Sequence, residues 1–119
     1  MDKLERIFEL QKSFDDGLIK KRGLEAISME EWLQKESLAV MAELSELLNE
    51  VNYKWWKNPK QVDMGAVKEE LVDVLHFFVS MCIKAGLTAQ ELHDLYIQKN
   101  SENFKRQNGL SDKEGYAAE

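Results

Sequence analysis

Apolar residues recur at helical spacing in four stretches of this chain, and each stretch is bounded by residues that start or stop helices. Leu4, Ile7, Phe8, Phe14 and Leu18 make the first, which ends near Gly23. Ser28 and Glu31 have capping-box spacing, in which each side chain satisfies a free backbone N–H of the other residue. The helix they open carries Trp32, Leu38, Met41, Leu44, Leu48 and Val51, and Asn58-Pro59 bars any continuation. Asp63 is the expected N-cap of a third helix, with Val67, Leu71, Val74, Leu75, Phe78 and Cys82 on its core face and Gly86 at its end. Thr88 and Glu91 open a fourth, carrying Leu92, Leu95, Tyr96 and Phe104 and stopping at Gly109. The small, polar residues after it are expected to be loose unless a ligand orders them. Strand alternation, repeats and low-complexity tracts are absent from the sequence. The expected fold is therefore all-α: one domain over residues 1–119, an antiparallel four-helix bundle-like core completed by dimerisation.

Charge and cysteine content narrow the ligands. The net charge of −6 argues against a nucleic-acid polymer as partner. It leaves nucleotides open, because metal ions mediate between acidic protein and acidic phosphate. Cys82 is the only cysteine, so no internal disulfide forms and a reducing cytoplasm is the expected compartment. The N-terminal MDKLERIFELQ lacks the apolar core of a secretion signal. No apolar run approaches the roughly 20 residues that span a bilayer, so no membrane partner is expected.

Two acidic pairs stand at metal-binding spacing. Glu43 and Glu46 lie three apart on the second helix, and Glu70 and Asp73 three apart on the third. Residues so spaced share a helix face at about 5–6 Å, so each pair can converge on one ion. With 22 acidic residues in 119, chance alone supplies about four such pairs, and spacing by itself decides nothing. Setting decides more. Asp73 sits inside Leu71-Val72-Asp73-Val74-Leu75, where a carboxylate is costly to bury unless it is paired or bound to metal. Oxygen-rich surroundings of this kind suit Mg²⁺, with Mn²⁺ as the alternative ion. Glu50 and Glu69 are weaker candidates at the same place.

On the fourth helix Tyr96, Asn100, Asn103 and Gln107 form a polar stripe, and Lys99, Asn103 and Arg106 share a face. Arginine grips phosphate oxygens in pairs of hydrogen bonds and lysine adds a point charge. Tyr53, Trp55 and Trp56 lie in a basic stretch with Lys54, Lys57 and Lys60, where an indole offers a flat face to a base or sugar. Gln11 falls inside the apolar series Ile7, Phe8, Phe14, and its amide can read the donor-acceptor edge of a base. His76 and His93 show no partner pattern that suggests a ligand or base, and Cys82 reads as a core residue.

Glu43-x-x-Glu46 followed by Glu70-x-x-Asp73 resembles the metal motifs of the all-α nucleoside triphosphate pyrophosphatases, which include the MazG-like enzymes and the dimeric dUTPases. Lys54-Trp55-Trp56-Lys57, and the Lys99-Asn100 to Arg106-Gln107 segment with Gly115-Tyr116 after it, resemble the dimeric dUTPase branch. Gln11 matches the glutamine of that family's N-terminal motif. The larger members carry an additional helical region for which 119 residues leave no room. The resemblance implies Mg²⁺ held by Glu43, Glu46, Glu70 and Asp73, with Glu46 also orienting or deprotonating the attacking water. It implies phosphate contacts from Lys99, Asn103 and Arg106, joined by Tyr116, and substrate contacts from Gln11, Trp56 and Lys57. The implied reaction takes dUTP, or dUDP, to dUMP in a homodimer, with a tetramer as the alternative assembly. A MazG-like enzyme acting on dCTP or modified nucleotides, or a helical dimer that binds a protein partner without catalysis, are the competing expectations.

Overall fold

The computed structural model describes residues 1–118 and contains the four expected helices: α1 (Lys3–Arg22), α2 (Met29–Glu50), α3 (Met64–Lys84) and α4 (Ala89–Gln107). No strand occurs among the described residues. The helix boundaries follow local chemistry. Asp2, Ser28, Asp63 and Thr88 each cap a helix by accepting a backbone N–H from its first turn. At the end of α1, Gly23 turns into the left-handed region (φ 65°), and the Leu24 N–H bonds back to the Ile19 carbonyl at 2.9 Å. No single helix is long and apolar enough to cross a membrane.

Met1–Gly86 forms one compact unit and the chain from Leu87 onward a second. In the first unit, Gln11 and Asp15 of α1 meet His76 and Ser80 of α3, so those two helices run in the same direction. Glu36 of α2 meets Ser80 and Lys84, whereas Glu43 meets Glu70 near the start of α3; α2 therefore runs against α3. The second unit consists of α4 and the segment after it. That segment is tethered to α4 at two points: Ser111 Oγ donates to Glu102 at 2.6 Å, and the Arg106 guanidinium lies 5.2 Å from the centre of the Tyr116 ring.

The apolar faces expected to form the core are largely not inside this single chain. Phe8, Val67 and Cys82 are buried as anticipated, with Val79 beside them. Phe14, Leu38, Met41, Leu44, Leu71, Leu75 and Phe78 stand exposed, Leu38 and Phe14 at 65% each. The only buried residue of α2 is Glu36, and Gln11, Asp15 and Ser80 are buried with it. The interior of the first unit thus combines a small apolar core with a polar cluster, and much of the apolar surface of α2 and α3 is left exposed. Periodicity identifies a face that needs cover without naming what covers it.

Candidate active site

Glu43 and Glu46 project from one face of α2 and Glu70 from the facing side of α3, and one carboxylate oxygen of each lies within 4.8 Å of the others. Glu43 and Glu70 are half-buried and Glu46 is exposed. Like charges held this close disfavour ionisation. Glu43 is raised above the ordinary carboxylate range, first by burial and then by repulsion from Glu46 and Asp73, although a hydrogen bond with Glu70 acts the other way. Glu70 is pushed up to about 7, again chiefly by burial, with its hydrogen bond to Glu43 and the charge of Glu46 adding to the rise. Asp73 contributes its charge to this cluster without belonging to the set of three whose oxygens converge.

Two oxygens in the cluster, Glu43 Oε2 and Glu70 Oε2, are fully buried and accept no hydrogen bond. Buried acceptors without donors are rare and costly. An all-oxygen donor set with two unused buried acceptors and excess negative charge fits a hard divalent cation such as Mg²⁺. Protein cations do not take that place, since no Lys or Arg salt bridge involves Glu43, Glu46 or Glu70 among the described residues.

Farther along the same seam lies a second polar cluster that the residue pattern did not disclose. Ser80 Oγ is 2.7 Å from Asp15 Oδ2 and 2.6 Å from Glu36 Oε1, and its single proton can be donated to one of them at a time. Lys84 Nζ donates to Glu36 Oε1 at 2.6 Å and to Ser80 at 2.9 Å, stands 3.9 Å from Asp15, and rests 3.8 Å above the Trp32 ring. Gln11 extends this cluster, donating from Nε2 to Asp15 at 3.0 Å while its Oε1 meets His76 Nδ1 at 2.8 Å. His76 therefore has the partner that its sequence context did not suggest. The available signal was a ladder of polar residues, His76, Ser80 and Lys84, at i,i+4 spacing on the otherwise apolar C-terminal half of α3.

The remaining candidates fall into two groups. Trp56 and Lys57 lie on the loop between α2 and α3, both exposed. Trp56 packs edge-on against Tyr53 and Trp55, with ring centres 6.5 and 5.6 Å away. Asn52 holds the loop in shape. Its backbone is left-handed (φ 58°), its Nδ2 donates to the Lys60 carbonyl at 2.8 Å, and its Oδ1 accepts the Lys60 N–H at 2.9 Å. In the second unit, Lys99 and Asn103 line an open groove of about 480 Å³ together with Tyr96, Asn100, Phe104 and Gln107. Arg106 does not line it; its Nε donates to Glu102 at 3.2 Å, on the side where Tyr116 lies. The polar stripe expected on α4 therefore exists, while its arginine is turned toward the C-terminal segment.

The chain is 36% identical over 74 residues to a dCTP pyrophosphatase of Enterobacteria phage LZ5 and 35% identical over 74 residues to one of Enterobacteria phage T4. Each match covers 62% of this chain and 43% of the relative, so the chain spans less than half the length of these curated relatives. No solved structure matches it significantly. A family model described as dUTPase matches residues 3–91, which include α1, α2, α3 and all four candidate metal ligands. With well over half of its length matched in this way, the chain belongs to the dUTPase family.

Proposed function

We propose that this protein is a divalent-metal-dependent nucleotide pyrophosphohydrolase that converts dUTP, and dUDP, to dUMP. The observation that carries the reading is the convergence of Glu43, Glu46 and Glu70, with two buried, unpaired oxygens, in a chain of the dUTPase family. Those three residues, with Asp73 alongside, would hold the metal. A bound Mg²⁺ supplies charge neutralisation to the phosphates and makes a coordinated water more acidic. Glu46, the exposed member of the set, is the carboxylate best able to reach a water and accept its proton. Lys99, Asn103 and Arg106 would meet the phosphates, with Tyr116 beside Arg106, and stabilise charge on the departing group. Trp56 offers a stacking face, Lys57 a nearby positive charge, and Gln11 an amide for the base.

The exposed apolar stripes of α2 and α3 support a homodimer in which a second copy covers them. The lone thiol of Cys82, buried and free, suits a reducing cytoplasm.

A second reading keeps the chemistry and changes the base. The phage relatives are named dCTP pyrophosphatases, which favours dCTP as the competing substrate. Pyrophosphate release from a panel of nucleotides with Mg²⁺ separates the two. Dominant dUTP turnover supports the first reading, and turnover of dCTP with none of dUTP overturns it.

A further inference from the structure

Gln11 is 7% exposed, and both ends of its amide are engaged. An ionised carboxylate can only accept hydrogen bonds, so the end facing Asp15 must be the nitrogen. The oxygen then faces His76, which must carry its proton on Nδ1 to meet it. Turning the amide over would set its carbonyl oxygen against the Asp15 carboxylate. Asp15 cannot easily move away, because its other oxygen lies 2.7 Å from Ser80 Oγ, whose one proton is shared between Asp15 and Glu36, and 3.9 Å from Lys84, which holds Glu36 on α2. The amide orientation is thus fixed by a chain of contacts through all three helices of the first unit.

Orientation matters for pyrimidines. Uracil presents an N3–H donor beside a 4-carbonyl acceptor, and cytosine presents an N3 acceptor beside a 4-amino donor. For a base held in one pose, an amide that reads the first pattern must be turned over to read the second. A freely turning amide would serve both.

We propose that Asp15 and His76 are positioning residues that set the preference between uracil and cytosine nucleotides by locking the Gln11 amide. This rests on the reading above in which Gln11 meets the base. The test uses the full chain and the variants D15N, H76F and Q11A. An amide at position 15 pairs with Gln11 in either orientation, and H76F removes the ring donor at a side chain that is not buried. Two ratios are measured: the dissociation constants for dUMP against dCMP by calorimetry, and kcat/KM for dUTP against dCTP. Both are expected to move toward unity in D15N and H76F by at least about tenfold, because the discrimination comes from unpaired buried polar groups. Nitrogen NMR of the free protein should show His76 as the Nδ1–H tautomer, and a mixture in D15N.

Unchanged ratios in D15N and H76F, with an altered ratio in Q11A, overturn the lock and leave Gln11 as a base contact. An unchanged ratio in Q11A removes Gln11 from the base site altogether, and the lock with it. A His76 protonated on Nε2 in the free protein refutes the lock whatever the activity. A wild-type protein that binds and hydrolyses neither nucleotide refutes the function and the proposal together.

Discussion

The seam between α2 and α3 places acidic residues at both ends, and the ends solve the same electrostatic problem differently. Around Ser80, the carboxylates of Asp15 and Glu36 are met by Lys84, itself stacked on Trp32. Around Glu70, the carboxylates meet only one another, and burial together with mutual repulsion lifts Glu43 and Glu70. One end carries its own cation, although Glu36 Oε2 is buried there without a donor. The other is built from the same residue types and is left short of positive charge. That contrast, more than the number of acidic residues, is what favours a cation at the Glu70 end.

Removing a ligand from the uncompensated end is expected to have the largest effect. Glu43→Gln should lower Mg²⁺-dependent pyrophosphate release by at least about 100-fold, since even residues that only support metal ligands are worth 10–100-fold. A variant with near-normal turnover would break the assignment of that end to metal. At the other end, Lys84→Ala leaves Asp15 and Glu36 buried without their cation and should cost about 3–5 kcal/mol in denaturant unfolding. Glu36→Gln keeps the shape and loses the charge pairing, for about 1–3 kcal/mol.

The same carboxylate-to-amide change should act in the opposite direction at the Glu70 end. Glu70→Gln removes a repelled charge, so the metal-free protein should melt higher, while the Mg²⁺-induced rise in Tm should disappear. The pH dependence follows from the raised carboxyl. The folded protein holds the Glu70 proton up to about 7, whereas the unfolded chain releases it near the ordinary 4.5. The folded state therefore binds more protons between those values, and metal-free stability should fall as pH rises through that window. Added Mg²⁺ should flatten the slope, because it binds the ionised carboxylates. The smallest expected effect in this set is in Ser80→Ala, about 1 kcal/mol, with no change in metal response.

Much of this architecture was legible in the residues. Caps depend on neighbours three residues away, which is why Ser28, Asp63 and Thr88 mark the starts of α2, α3 and α4 so directly. Glu43, Glu46 and Glu70 were legible through their spacing, and the structure brings their oxygens together, whereas Asp73, which its apolar setting singled out, lies outside the converging set. The Ser80 cluster was not, because the bonds that join its helices span 44 to 65 positions, and the i,i+4 ladder on α3 does not name its partners. The apolar stripes were found correctly as stripes. What covers them was not legible, because the single chain buries only part of those stripes, among them Phe8, Val67 and Cys82, and periodicity does not name a partner.

The clasp between Asn52 and Lys60 has a consequence for how the molecule could change. By bonding the Lys60 backbone in both directions, Asn52 closes the chain around residues 53–59 into a small ring. The aromatic and basic residues inside that ring hang from a fixed neck, and the ends of α2 and α3 are held independently of what the ring contains. Residues 53–59 thus form a replaceable cassette, in which the stacking surface can be redrawn while the carboxylate framework keeps its shape.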